Sequence, residues 1–337
     1  MIEKIKEILN EGVLNNDFPG ATFCLVEDGN INCSNVGSIS LLPEKKPNTN
    51  NTIYDIASLS KVVSTTTLVL QAISEGKIDF NSKVCDILAE YKHKNTTIQD
   101  LLFHTSGLGP VVKNASKIDT KEKLIKQIFA EELTYEPKSS ITYSDTGFMI
   151  LGFIIEKIYG RKIDEIASEK IFNKIKMINT SYRPDSSNIA PTEIDSSNNQ
   201  FLIGTVHDER ARLLDGLSGH AGVFSTSYDL ALFIKSILED EKLLTNSMKN
   251  LIFNTKYINK DLKGNTLARS YGYNLYPEKV LTNNELIMHT GFTGCNLWID
   301  RKEKRGFVLL SNGVHPTRDK NNIFESRKRI LNLFYNS

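Results

Sequence analysis

The chain opens with apolar residues at helical spacing among charges, which predicts an amphipathic N-terminal helix. The apolar residues of this helix are Ile2, Ile5, Ile8 and Leu9. Alternating apolar residues follow on both sides of Asp28-Gly29, a dipeptide that favours a two-residue hairpin turn. In that register Cys24 lies opposite Cys33 on one face of the hairpin. Strand pairing is therefore expected directly after the first helix.

Helical periodicity dominates the middle of the chain, from Ser58 to about Met177. The first of these helices is expected to end at Gly76, because glycine is a common residue at helix C-termini. Two polar stretches without periodicity, residues 107–121 and 183–200, predict long surface loops. Loops of this length often border functional sites.

The last third of the chain adds strands. A helix is predicted after Tyr228, and residues 286–314 then show the pattern of successive antiparallel strands joined at the charged turn 301–306. A final helix is predicted over residues 321–336. These patterns indicate an α+β (α/β) fold, in which an antiparallel sheet is flanked by the two terminal helices and a mainly helical lobe is inserted.

We expect residues 1–60 and 208–337 to form the sheet lobe and residues 61–207 the helical lobe. The active site is expected in the cleft between them. A chain of 337 residues is long enough to bury such a cleft. Its 40% hydrophobic and 24% charged residues are typical of a globular protein.

Charge and apolar run length exclude two classes of partner. The net charge of +1 provides no basic field for nucleic acid. The longest apolar run, residues 147–155, is far shorter than the roughly 20 residues of a membrane span. The N-terminal helix also lacks the apolar core of a signal peptide. We therefore expect a soluble, cytoplasmic protein that binds neither nucleic acid nor a membrane.

The four cysteines are too few and too scattered for a disulfide framework or a CxxC metal site. In a reducing compartment, the facing residues Cys24 and Cys33 are predicted to remain two apolar thiols on one sheet face.

The first candidate for chemistry lies at the start of the first central helix. Ser58 and Lys61 are three residues apart and share a helix face, whereas Ser60 points away from Lys61. A serine in the first turn also lies near unpaired backbone N–H groups, which favour developing negative charge. The same spacing recurs at Ser74 and Lys77, where no mechanism is evident, so this motif alone is weak evidence.

Two later segments strengthen that candidate. The sequence TYSDTGF places Tyr143 and Asp145 two residues apart before an apolar helix. The sequence HTGFTG begins at His289 on a predicted strand and ends in glycines, which permit close approach of a substrate backbone. Taken singly, a tyrosine at a helix start and a histidine in a strand are most often structural. Their combination and order are specific.

With these motifs the chain resembles the serine β-lactamase and penicillin-binding protein superfamily, in particular its class C branch with the related esterases and DD-peptidases. Residues 58–61 match the SxxK motif, residues 143–145 the YxN-type motif and residues 289–291 the KTG-type motif. Three further segments also resemble sequences of this family, namely 101–108, 218–226 and 309–316. The resemblance spans almost the whole chain.

The resemblance implies a serine acyl hydrolase that works through an acyl-enzyme and needs no metal or organic cofactor. Ser58 would be the nucleophile, and Lys61 and Tyr143 would transfer protons. The oxyanion hole would be formed by the backbone N–H groups of Ser58 and Phe292. Lys61 can accept a proton only if its pKa is lowered from about 10.4.

The implied substrate contacts are Asp145, His289, Thr290 and Gly291. His289 stands where β-lactamases usually have lysine, so it is expected to be a weaker, pH-dependent cation. Asp145 stands where they have asparagine; its carboxylate accepts hydrogen bonds but donates none, and it can instead hold Lys61. The substrate class stays open among a small ester, a D-alanyl peptide and a β-lactam.

Two other classes of function also stay open. One is a penicillin-binding or sensing module that is acylated without turnover. The other is a metal-dependent hydrolase that uses His207, Asp208 and His220, although no compact metal-ligand spacing is present. His104 and His220 are otherwise expected to order loops beside the cleft.

Overall fold

A nine-stranded antiparallel sheet, built from both ends of the chain, organises the computed structural model, which describes residues 1–195, 197–276 and 285–335. The strands are β1 (Gly20–Glu27), β2 (Asn30–Ser40), β3 (Lys46–Pro47), β4 (Tyr54–Asp55), β5 (Ile194–Asp195), β6 (Gln200–Phe201), β7 (Phe224–Ser225), β8 (Tyr257–Lys260), β9 (Thr266–Arg269), β10 (Asn274–Leu275), β11 (Leu286–Thr290), β12 (Asn296–Asp300) and β13 (Arg305–Ser311). The order across the sheet is β3-β2-β1-β13-β12-β11-β10-β9-β8. Strands β4 and β7 form a separate pair, as do β5 and β6.

Helices cover both faces of this sheet. They are α1 (Ile2–Leu14), α2 (Thr67–Ser74), α3 (Val84–Ile87), α4 (Ile98–Leu102), α5 (Lys121–Ala130), α6 (Asp145–Tyr159), α7 (Ile163–Ala167), α8 (Glu209–Leu213), α9 (Ser227–Glu239), α10 (Asn246–Asn254) and α11 (Ile323–Tyr335). The terminal helices α1 and α11 share one apolar cluster with the sheet, while α9 packs on β1 and β13. The predicted fold class, with terminal helices flanking an antiparallel sheet, is confirmed.

The hairpin of β1 and β2 has the predicted register. Asp28 and Gly29 both have positive φ, 46° and 78°, as a tight hairpin turn requires. Cys24 consequently pairs with Cys33, with Cα atoms 4.1 Å apart. The prediction of two free thiols is wrong, because these facing residues form a disulfide.

The apolar run 147–155 lies inside α6 and is mostly buried in the largest apolar cluster of the described residues. Ser144 caps this helix by accepting a hydrogen bond from the Gly147 N–H at 3.2 Å. The cap fixes the first turn and so places Asp145 at the start of a buried helix. None of the helices within the described ranges is both long and apolar enough to span a bilayer.

Candidate active site

Ser58 lies in a strained turn between β4 and the helical segment that leads into α2. Ala57 has φ +47°, which is uncommon for a residue with a Cβ atom, and its N–H donates to Asp55 Oδ1 at 2.8 Å. The backbone forms a short 3₁₀ turn at Ala57–Leu59 and a π-helical segment at Lys61–Thr66 before α2 begins. The start is thus less regular than predicted, but Ser58 and Lys61 still share one face.

Lys61 is fully buried and makes three polar contacts. Its Nζ lies 2.8 Å from Ser58 Oγ, 2.8 Å from Asp145 Oδ1 and 3.0 Å from the His220 carbonyl oxygen. Burial alone lowers the pKa of Lys61, but the charges of Asp145 and Tyr143 outweigh burial, so the pKa is raised. The condition for Lys61 to accept a proton, a lowered pKa, is therefore not met in this site, because Asp145 stabilises the ammonium.

Tyr143 forms one wall beside this ion pair. The cations of Lys61 and Arg269 lie 5.0 and 5.8 Å from the centroid of the Tyr143 ring. The backbone next to Tyr143 is fixed by a hydrogen bond, in which the Ser144 N–H donates to His104 Nδ1 at 3.0 Å. His104 thus orders the loop beside the site, as its sequence context suggested.

His289 lies behind Tyr143 and is only 1% exposed, so it does not line the cavity. Its Nδ1 donates to the Thr290 carbonyl oxygen at 2.9 Å, which leaves Nε2 as an acceptor. Burial, together with the nearby charges of Lys61 and Arg269, lowers the pKa of His289 to about 3. The expected pH-dependent cation is therefore a neutral imidazole near pH 7.

A cavity of about 650 Å³ opens in front of these groups. Of the predicted site residues, it is lined by Ser58, Tyr143, Asp145, Thr290, Gly291 and Phe292. The exposed rings of Phe292 and Phe324, at 58% and 66%, lie at its rim. The structure thus brings three sequence motifs to one cavity, with Lys61 and His289 buried beneath its surface.

The segment after β11 forms a turn packed against the serine segment. A Cβ atom on Gly291 would lie 2.6 Å from the Ile56 carbonyl oxygen, so glycine is needed for contact between two backbone segments. The Thr293 hydroxyl also donates to the Asp55 carbonyl oxygen at 2.7 Å. Packing against Ile56 is therefore a reason for this glycine besides the predicted approach of a substrate backbone, and it holds the turn on the cavity that Ser58 and Phe292 both line.

An acidic and histidine-containing group adjoins the ion pair. Ligand atoms of Asp145, Asp208 and His220 lie within 4.8 Å of one another, with His220 Nε2 2.9 Å from Asp208 Oδ1. The Lys61 ammonium and the Arg210 guanidinium already neutralise the two carboxylates. His207, predicted in the alternative metal set, instead pairs with Glu193 at 3.0 Å.

Sequence reasoning missed two residues at this site. Asp55 accepts backbone hydrogen bonds from Ala57 and His207 and so fixes the serine turn. Arg269 is 7% exposed, and its Nε and Nη1 find no hydrogen-bond partner among the described residues. Neither residue lies in a motif, so only the folded chain reveals them.

The antiparallel sheet and its flanking helices form a β-lactamase/transpeptidase-like fold, and its cavity exposes the serine of the SxxK motif. The chain belongs to the Beta-lactamase family, whose model matches residues 5–330. The resemblance stated from the motifs is thereby confirmed.

Similar proteins carry several descriptions. A protein of Escherichia coli (strain K12) named "Putative D-alanyl-D-alanine carboxypeptidase" is 30% identical over 86% of this chain and 76% of its own. An "N-acetylmuramyl-L-alanine amidase" of Bacillus subtilis (strain 168) is 28% identical over 91% of this chain and 81% of its own. The solved structure of an octameric penicillin-binding protein homologue from Pyrococcus abyssi has a TM-score of 0.77 at 22% identity, covering 98% of this chain and 81% of that one.

Proposed function

We propose that the protein is a serine acyl hydrolase in which Ser58 forms an acyl-enzyme. The observation that carries this proposal is the position of Ser58 on the cavity surface, with its Oγ 2.8 Å from the buried Lys61 Nζ. The N–H of Phe292, on the turn packed against the serine segment, would serve with the N–H of Ser58 as the oxyanion hole. Two such donors stabilise the tetrahedral intermediate by about 3 kcal/mol each.

The raised pKa of Lys61 decides its part in the proposed mechanism. As an ammonium it donates to Ser58 Oγ, so the serine proton must leave towards another acceptor. We assign that acceptor to the Tyr143 hydroxyl, whose oxygen accepts the Ser58 proton while its own proton passes to the leaving group. The two nearby cations stabilise the negative charge that this oxygen carries during the relay. Water then attacks the acyl carbon, its proton returns to Ser58 Oγ, and the acyl group leaves as the acid.

Among substrates, an acyl-D-alanyl peptide with a free carboxylate fits best. A buried guanidinium with unpaired N–H groups is costly unless a negative group compensates it, and Arg269 lies directly behind Tyr143. Arg269 does not line the cavity, but from its position against the Tyr143 ring its charge can attract a carboxylate at a distance, which a neutral His289 cannot do. The name of the Escherichia coli relative supports the same substrate class. A small ester is the second candidate, because the exposed rings of Phe292 and Phe324 favour an apolar substrate group.

Intact-mass analysis tests the nucleophile. We expect a fluorophosphonate probe to add one adduct to the wild type and none to Ser58→Ala, because the Ser58 hydroxyl combines cavity access with the Lys61 contact. Ser74→Ala is the matched control, since it removes the serine of the second SxxK spacing and should label like the wild type. A parallel incubation with penicillin measures whether a β-lactam also acylates Ser58.

Two results would contradict the proposed function. A penicilloyl or ester-derived adduct that persists for hours with no turnover would favour an acylated binding module. Hydrolysis that survives Ser58→Ala but is lost with a chelator would favour a metal-dependent enzyme at Asp208 and His220.

Arg269→Gln should separate charged from neutral substrates. For an N-acyl-D-alanyl-D-alanine peptide we expect kcat/KM to fall about 10-fold, because the substrate carboxylate loses the attraction of a nearby buried charge. The same peptide with a C-terminal carboxamide should lose less, because it has no carboxylate for Arg269 to attract and is affected only by the lost charge beside Tyr143. Steady-state kinetics on the two peptides make the comparison, and an equal loss on both would refute carboxylate recognition.

A further inference from the structure

We propose that Arg327 of α11 positions and polarises the peptide group that forms the oxyanion hole, and so acts on catalysis without touching the substrate carbonyl. The inference rests on the proposed function for its catalytic part. It concerns the turn 291–295, which joins β11 to β12 beside Ser58.

The contacts of Arg327 converge on this turn. Its Nη2 donates to the carbonyl oxygens of Gly291, at 3.1 Å, and of Cys295, at 2.9 Å. The Gly291 N–H donates to the same Cys295 carbonyl oxygen at 2.8 Å, which closes the turn on itself. Just before α11, Asn321 Nδ2 donates to the Phe292 carbonyl oxygen at 3.0 Å. Side chains of the C-terminal segment, Asn321 and Arg327, therefore bind three carbonyl groups of the turn.

One peptide group connects these contacts to the reaction. The carbonyl of Gly291 and the N–H of Phe292 belong to the same planar amide, so a charged donor on the oxygen draws electron density away from the nitrogen. The Phe292 N–H becomes a stronger donor, and its direction is fixed. Among the described residues no group accepts a hydrogen bond from this N–H, which leaves it available to an oxyanion.

Anchoring of the helix does not explain these contacts. Helix α11 is held by apolar residues packed against the sheet, namely Ile323, Ile330, Leu331 and Phe334. Its Arg329 also pairs with Glu11 of α1. Arg327, by contrast, lines the cavity with Phe292, and its hydrogen bonds go to the carbonyl groups of the turn. Its loss should therefore disturb the turn and leave the helix in place.

The kinetic test compares Arg327→Met with Arg329→Met, a control two residues away on the same helix. With p-nitrophenyl acetate we expect kcat of Arg327→Met to fall about 10- to 100-fold and KM to change by less than about 3-fold, since an oxyanion donor acts mainly in the transition state. Affinity for a boronic acid, which mimics the tetrahedral adduct on Ser58, should fall in parallel. Arg327→Lys should recover part of kcat, because an ammonium can still donate to one carbonyl.

A second readout does not depend on turnover. With ¹⁵N-phenylalanine labelling, Arg327→Met should move the Phe292 amide nitrogen resonance upfield, because less electron density is drawn from the nitrogen. Arg329→Met should leave that resonance in place. An unchanged Phe292 resonance in Arg327→Met would overturn the inference even if the proposed hydrolase activity were absent. A shifted resonance with kcat and boronic acid affinity equal to those of Arg329→Met would overturn its catalytic part while leaving the proposed function intact.

Discussion

Asp145→Ala is expected to lower the free energy of unfolding by about 3 kcal/mol near pH 7, because it leaves a buried ammonium without its carboxylate. The Lys61 side chain is 0% exposed and its Nζ lies 2.8 Å from Asp145 Oδ1. Adding Lys61→Met to Asp145→Ala removes the orphaned charge. The double variant should therefore be more stable than Asp145→Ala alone, as urea unfolding at constant pH can measure.

The pH dependence of this difference has a defined sign. In the wild type the pKa of Lys61 is raised, so its stabilising contribution is fully present below the unfolded value of about 10.4 and is lost as pH rises through the folded pKa. In Asp145→Ala burial loses its main opposing charge, so the pKa of Lys61 falls relative to the wild type and the penalty grows as pH drops below about 10.4. The stability difference between wild type and variant should shrink from pH 7 to pH 10.

An exposed ion pair provides the control. Asp119 and Lys123 lie 2.7 Å apart with both side chains more than half exposed, so Asp119→Ala should change stability by no more than about 0.5 kcal/mol. Two results would contradict the stabilisation assigned to the buried ion pair. One is an equal loss of unfolding free energy in Asp145→Ala and Asp119→Ala, and the other is a double variant that is the least stable of the set.

The parts of the site that sequence could predict are those whose geometry is local. Ser58 and Lys61 meet because residues three apart on a 3₁₀ or α-helical backbone lie on one face. The cap at Ser144 likewise follows from residues next to one another in sequence. Joining these segments to Phe292 needed the family resemblance, since no local rule relates positions so far apart.

The errors have tertiary causes. Alternation along β11 places His289 and Ile287 on one face, but only packing decides that this face is buried, with Arg269 and Lys61 nearby. The raised pKa of Lys61 depends on Asp145, which is 84 residues away. The outer strands β8 to β10 escaped prediction because they are two to four residues long and carry no clear apolar period.

Acid should destabilise the fold well before the surface carboxylates titrate. Burial first, and then nearby cations, lower the pKa of His104 well below 6.5 and that of His289 to about 3. Both rings are neutral when folded, so their contribution is present above the unfolded pKa of about 6.5 and is lost as pH falls towards the folded values. Each should lower the free energy of unfolding by about 1.4 kcal/mol per pH unit in that range. Burial raises the pKa of Asp55, so protonation of this carboxyl in acid stabilises the fold and opposes the effect of the histidines. The stability of the wild type as a function of pH therefore contains both effects.

A difference measurement isolates the histidine. His289→Asn keeps an N–H that can donate to the Thr290 carbonyl oxygen but removes the titrating ring. Between pH 6 and pH 5, where urea unfolding is compared for the two proteins, the variant should lose about 1.4 kcal/mol less than the wild type. The reason is electrostatic: a proton on His289 adds a third cation to a buried space that already holds Lys61 and Arg269. Parallel stability curves for wild type and variant over this range would show that His289 can take up a proton without opening the fold, and would contradict its burial beside those cations.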